Sequence, residues 1–376
     1  MRTGCKLASL IALISLGLPA TLVHAAEAPK AERPQTEHVA PVVPLSGADR
    51  YKQQSAKLVP GLYQSDISGK NGAIFVTSAV GRPPVKASQL LKLDADTLAI
   101  QAQITPATLP GAAGQGQVFA VYGVGVDDRN GNVWATNTRQ NTVAVYRQSD
   151  LSLVKQFEPD AVAHARDVVI DTTLDRAFAG ATGTPVVAMF DAAKLTLSKN
   201  IEIQSQVKDG KFSVASLSLD AQAHKLYTVS LSTNEAAVID TKTGTVDKVM
   251  PIEGVNMAMG VAHDAKTNRL FVTGQRSDNL AIVDAASGKV LHLVTTGGGP
   301  LNVAFDPVKR LAYVSNRTAG TVTVVDPDGK IVANLENGTF PNHVLADAKG
   351  NVYSVNKSKG ADDATGDRIT RFSPVN

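Results

Sequence analysis

Val303-Ala304-Phe305-Asp306, then Leu311-Ala312-Tyr313-Val314-Ser315-Asn316, then Thr321 to Asp326 is the stretch that decides the fold. It reads as strand, Asp turn, strand, polar turn, strand, Asp turn, because the apolar residues alternate with period 2 and the breaks carry Asp, Asn and Gly. The preceding forty-odd residues repeat the grammar in Val261-Ala262-His263-Asp264, Leu270-Phe271-Val272-Thr273-Gly274 and Leu280 to Asp284. Moving outward, the aromatic of the second strand recurs at Phe75, Trp134, Phe178, Tyr227, Phe271, Tyr313 and Tyr353, at intervals of 59, 44, 49, 44, 42 and 40. A period of that size with four short strands per unit predicts a β-propeller, and seven copies predict seven blades. The fold class is therefore all-β, with no amphipathic helix required.

The ends of the chain predict how the ring closes. The last copy stops after Arg368-Ile369-Thr370-Arg371-Phe372, which matches a third strand. Tyr51 to Val59 precedes the first strand of copy one and can supply the missing fourth, so that no sheet edge is left open. The domain organisation follows as a propeller over 51–376, preceded by two segments of other character. Residues 1–25 have a basic start, an apolar run from Leu7 to Leu18 and the small-residue end Val23-His24-Ala25, which reads as a secretory signal peptide cut after Ala25. Residues 26–50 hold Pro29, Pro34, Pro41 and Pro44 without apolar periodicity, which predicts a disordered tether. The expected location is the periplasm, with no membrane span in the mature chain.

The second-strand pieces Tyr313-Val314-Ser315-Asn316, Phe271-Val272-Thr273-Gly274, Phe75-Val76-Thr77-Ser78 and Trp134-Ala135-Thr136-Asn137 resemble the YVTN β-propeller repeat. The layout, with Gly61-Leu62-Tyr63 and Leu91-Lys92-Leu93-Asp94 in the first copy, is similar to the periplasmic YncE-like family. The resemblance covers about residues 51–376. It implies a secreted seven-bladed propeller without known catalytic activity, in a family regarded as binding single-stranded DNA and associated with iron limitation. Copies three and four depart from the repeat at Phe178-Ala179-Gly180 and Tyr227-Thr228-Val229.

Composition narrows the chemistry. Lys plus Arg is 37 against 34 Asp plus Glu; without Arg2 and Lys6 of the expected signal the balance is near neutral, unlike that of a polybasic nucleic-acid or membrane binder. The single cysteine, Cys5, lies in the same segment, so thiol catalysis, disulfides and Cys-based metal sites are excluded from the expected mature protein. The aspartates closing first strands (Asp127, Asp171, Asp220, Asp264, Asp306, Asp347) and third strands (Asp94, Asp191, Asp240, Asp284, Asp326) read as turn residues, since Asp accepts hydrogen bonds from the backbone just ahead of it. The histidines show no metal-ligand spacing, and there is no Gly-x-Ser-x-Gly elbow or phosphate loop. No metal and no cofactor are expected.

What remains is the loops joining strands two and three, and strand four to the next blade, which share one face around the channel. Ten cations and nine acids fall there, a neutral tally. Arg139, Arg276, Arg317 and Lys357 follow second strands at similar offsets, while Arg166, Asn302, Asn342 and His343 open first strands. Both sets are expected near the axis, as a cationic and amide-rich mouth, with Tyr122 close by. The expectation is a binding module for an anionic ligand, which the family resemblance implies to be single-stranded DNA. The alternatives are an enzyme of the lactonase or lyase kind with its site in the channel, and an interaction platform for an outer-membrane protein of an uptake system.

Overall fold

The computed structural model describes residues 39–111 and 116–375. Among them the strands form seven four-stranded antiparallel sheets. Six are sequential in order, and each aromatic named above lies on the second strand of its blade. The seventh sheet is composite: Tyr51–Lys57 pairs with Arg368–Pro374 in the register Tyr51↔Pro374 to Lys57↔Arg368. That is the expected closure, and Tyr51 adds a ring contact to Tyr313 of blade six at 6.2 Å, edge to face.

The tether needs a correction at its end. Ser46 forms an antiparallel bridge to Asn334 on the outer strand of blade six, through backbone bonds of 3.0 Å in both directions. The Asn334 amide donates to the Val43 carbonyl at 2.8 Å, and Ala48–Arg50 is a short 3-10 turn. Backbone groups that a disordered tether would leave in water have partners on the ring, so the ordered chain begins before the closing strand. The expected signal peptide and tether residues up to 38 lie outside the described residues.

The core lies between blades, where the faces of neighbouring twisted sheets meet. Trp134 of blade two packs 5.5 Å from Phe190 of blade three, with Phe157 filling the gap 4.9 Å from Phe190. Burial of such aromatics contributes about 2–3 kcal/mol each, so the ring is held by many equivalent seams. The turn aspartates behave as expected. Asp171 accepts from the Thr173 and Leu174 N–H groups, Asp240 from Lys242 and Thr243, and Asp347 from Lys349 and Asn351.

Neighbouring first strands run side by side around the axis, and side chains lace them together. Gln64 accepts from the Val124 N–H at 3.3 Å, Asp167 from Leu217 at 2.9 Å, and Asn302 from Val344 at 3.0 Å. At the equivalent place blades two and five carry glycine. A Cβ on Gly123 would stand 2.4 Å from the Arg166 carbonyl oxygen, and one on Gly260 2.8 Å from the Asn302 Cα. There the blades meet backbone to backbone, without a side-chain spacer.

Candidate functional site

The feature that builds the site is a local irregularity shared by several blades. The first strands lose register where they enter the ring: between Leu62 and Ser65, Ala165 and Asp167, Val214 and Leu217, Ala258 and Val261, Pro300 and Asn302, and Pro341 and His343. In a regular strand successive side chains point to opposite faces, whereas a bulge re-aims one residue and lets neighbours share a side. Tyr63 with Gln64, Leu301 with Asn302, and Asn342 with His343 thus reach the same space.

That space is a cavity of about 390 Å³ at one mouth of the channel. Eight of the nine expected site residues line it: Tyr122, Arg139, Arg166, Asn302, Arg317, Asn342, His343 and Lys357. Arg276 does not; its side chain is exposed, and Gln275 takes its place. The reason is an offset of one residue. Arg317 and Lys357 stand four residues after Tyr313 and Tyr353, as Gln275 does after Phe271, Leu231 after Tyr227, Thr182 after Phe178 and Thr138 after Trp134, and all of these line the cavity. Arg276 and Arg139 stand five residues after their aromatics. Arg139 lies in a 3-10 turn, Thr138–Gln140, and lines the cavity; Arg276 lies in a tight hydrogen-bonded turn in which its N–H donates to the Asn256 carbonyl.

The lining contains no carboxylate. The acids counted on this face are tied into their own loops instead. Glu235 accepts from the Ser205 hydroxyl and the Gln206 N–H, Asp278 from the Gly299 N–H, and Asp363 from Thr365 and Gly366. The neutral tally of the whole face therefore hides an asymmetry: four of its cations line the cavity and none of its acids does.

The cations have few partners. The Arg166 guanidinium makes no hydrogen bond within the described residues, and its Nε is sealed from solvent. Arg317 donates to the Asn342 amide oxygen at 2.6 Å and lies 4.8 Å above the Phe340 ring, while Asn342 donates to the Tyr63 carbonyl at 2.7 Å. The Lys357 ammonium sits 3.4 Å from the centre of the Tyr63 ring. Tyr63 in turn meets Tyr122 edge to face at 4.7 Å.

Crowded like charges in a recess are penalised, and the titration behaviour shows it. Burial, and then the charge of Arg317, pulls the Lys357 ammonium down to about 7. Burial also lowers Arg317, and burial together with Arg139 and Arg166 lowers His164. His343 is pushed down to about 3 by burial and Arg166, so it is neutral at physiological pH, with its Nδ1 accepting from the Ser65 N–H at 3.4 Å.

Sequence reasoning missed Tyr63, Gln64 and Gln275. The offset of Gln275 from Phe271 could have found that residue. Tyr63 is disclosed only by the bulge.

The family model for glutamine cyclotransferase matches residues 99–285, from the outer strand of blade one to the third strand of blade five and just under half of the chain. The chain is 24% identical over 321 residues to the uncharacterised protein YncE of Salmonella typhimurium, a match spanning 81% of this chain and 86% of that one. The protein of the same name in Salmonella typhi matches equally. Among solved structures, a chain of Kuenenia stuttgartiensis hydrazine synthase superposes with a TM-score of 0.65 at 15% identity, covering 80% of this chain and 94% of that one. The structure of U3-55K superposes with a TM-score of 0.69 at 9% identity, covering 86% and 98%. Those two likenesses speak for the ring alone. With seven blades and the closing N-terminal strand, the chain is a seven-bladed β-propeller similar to YncE over most of its length.

Proposed function

We propose that this propeller is an exported binding protein whose channel mouth holds an anionic group, phosphate or carboxylate. The observation that carries the reading is the unpartnered Arg166 guanidinium in a lining that has three further cationic side chains and no carboxylate. Forked guanidinium donors and an ammonium are what a dianionic or bidentate oxygen ligand requires, and a ligand would relieve the repulsion among them. The anion has two possible sources, a small molecule or single-stranded DNA.

Two experiments test this reading. Titration calorimetry of the mature protein with inorganic phosphate and with a short oligothymidylate, over a series of salt concentrations, separates the sources. A strand engaging four cations gives a log–log slope of about −3, whereas one phosphate group gives a slope near −1 or shallower. The aromatic surfaces favour the small group: Tyr122 is 7% exposed, and Tyr63 and Phe340 each already carry a cation, Lys357 and Arg317, over one ring face, which leaves less aromatic surface for a base to stack on. Absence of binding of either probe at low salt refutes the reading. Export is tested by mass spectrometry of protein recovered from the cell envelope, with cleavage after Ala25 expected.

A second reading, an enzyme of the glutamine cyclotransferase kind, has the family match over residues 99–285 in its favour. Ammonia release from a peptide beginning with glutamine is its test.

A further inference from the structure

Below the mouth the channel changes sign. A second cavity of about 390 Å³ shares Ser216, Asn302 and His343 with the first, so the two adjoin across these residues. Its polar wall includes Ser65, Asp66, Asp167 and Ser218. Asp66 accepts only two backbone N–H groups, those of Ile67 and Val126. Asp167 accepts from its neighbour Val168, from Leu217 and from the Ser216 hydroxyl. Neither forms a salt bridge to a cationic side chain among the described residues, and a carboxylate has acceptor capacity for about four bonds.

An independent observation marks the same place. Ser65 is 3% exposed, and its hydroxyl oxygen has no hydrogen-bond partner. Buried hydroxyls are nearly always paired, so this one calls for a polar occupant. The electrostatics agree: burial lifts Asp66 to about 7, with Asp128 and Asp167 adding repulsion, and burial raises Asp167 despite its neighbour Arg166. Both ends of the channel thus hold charge at a cost, of opposite sign.

We propose that the channel binds a zwitterion, its anionic group held at the mouth by Arg166, Arg317 and Lys357 and a primary ammonium drawn below it against Asp66 and Asp167. The proposal rests on the anion reading of the mouth and names the class of ligand. A primary ammonium offers three donors, enough for the two carboxylates and the Ser65 hydroxyl. A metal ion suits the wall less well, because the described residues contain no group of three or more His, Cys, Asp or Glu side chains placed to hold one.

The test compares probes that differ in one group. Pentanoate, 5-aminopentanoate and pentylamine are titrated into the full mature protein, followed by ω-amino acids from glycine to 6-aminohexanoate. The expected result is that 5-aminopentanoate or a neighbour in length binds at least tenfold more tightly than its amine-free counterpart, with one optimum length. Asp167→Asn and Asp66→Asn, each keeping one side-chain oxygen as an acceptor for the backbone, remove the advantage of 5-aminopentanoate over pentanoate measured on the same variant. A thermal melt shows that each variant is folded; if one is not, the other and the length series on the unaltered protein decide. If pentanoate binds in a salt-dependent manner and the amine adds nothing, the zwitterion proposal falls while the anion reading stands. If pentanoate does not bind, or binds indifferently to Arg166→Ala, both fall.

Discussion

The two faces of the ring treat charge in opposite ways. On the turn face, aspartates end strand after strand, and each is met by donors. Asp94 is held below the usual carboxylate range by the Thr97 N–H and hydroxyl, Asp284 by the Ser287 hydroxyl and N–H, and Asp240 chiefly by the Thr243 N–H, with Lys225 adding to it. At the channel mouth, Lys357 and Arg317 are shifted the other way, toward losing their charge. A fold stabilises charges that serve it, so the turn face explains itself. The mouth holds charges that the fold does not satisfy, which marks it as the face built for something else.

The contrast can be broken at several points. The largest effect is expected where a buried turn-face carboxylate is paired with an arginine. Asp264 is 1% exposed; burial raises its carboxyl, but Arg310, at 2.7 Å, together with Thr267 and the Lys266 N–H, more than offsets this. Arg310→Ala strands that carboxylate and should cost about 3 kcal/mol in a denaturant titration. The stability supplied by the pair is present above the ordinary carboxyl pKa and is lost as pH falls through the depressed one. A loss below about 0.5 kcal/mol would mean that turn-face pairing does not stabilise the ring.

At the mouth the same kind of change should act on binding instead. Arg166→Ala is expected to weaken phosphate binding by about 2 kcal/mol, roughly thirtyfold, and to leave the melting temperature unchanged or higher. A lowered melting temperature with intact binding would place Arg166 on the structural side of the comparison.

Lys357 sharpens the contrast through pH. With its ammonium near 7, anion affinity should fall as pH rises from 6 to 8, and binding near pH 7 should take up a proton, read as a dependence of the calorimetric enthalpy on the buffer. Stability runs the other way: between about 7 and 10.5 the unfolded chain holds the proton that the folded one has shed, so this group's contribution to stability rises with pH across that window. Lys357→Met should flatten both profiles. Arg276→Ala should do least, leaving phosphate affinity and stability within about 0.5 kcal/mol of the parent, because that side chain is out in solvent.

Much of this was legible in the sequence because a repeat averages out local noise. One strand of alternating apolar residues is ambiguous, but seven copies with an aromatic in register are not, and a missing last strand beside a spare first one fixes the closure. The turn aspartates were readable for a related reason: their partners are the next two or three backbone N–H groups, so the interaction is contained in a few residues. The site was readable only in part. The tally of charges on the mouth face gave neutrality, since counting cannot tell Asp363, folded onto Thr365 and Gly366, from a free acid.

The sequence by itself determined the number of blades, the closing strand and the turns, all of which depend on neighbours along the chain. The tertiary structure alone decided which side chains meet. Arg166, Arg317 and Lys357 come from three different blades, and they share a cavity because first strands stand side by side around the axis and second strands end at its rim. The bulges break period 2 at the mouth and bring in Tyr63, while one residue of offset leaves Arg276 outside. A bulge is set by how a strand must bend to fit its neighbours in the ring, so its effect on where a side chain points exists only once the ring is closed.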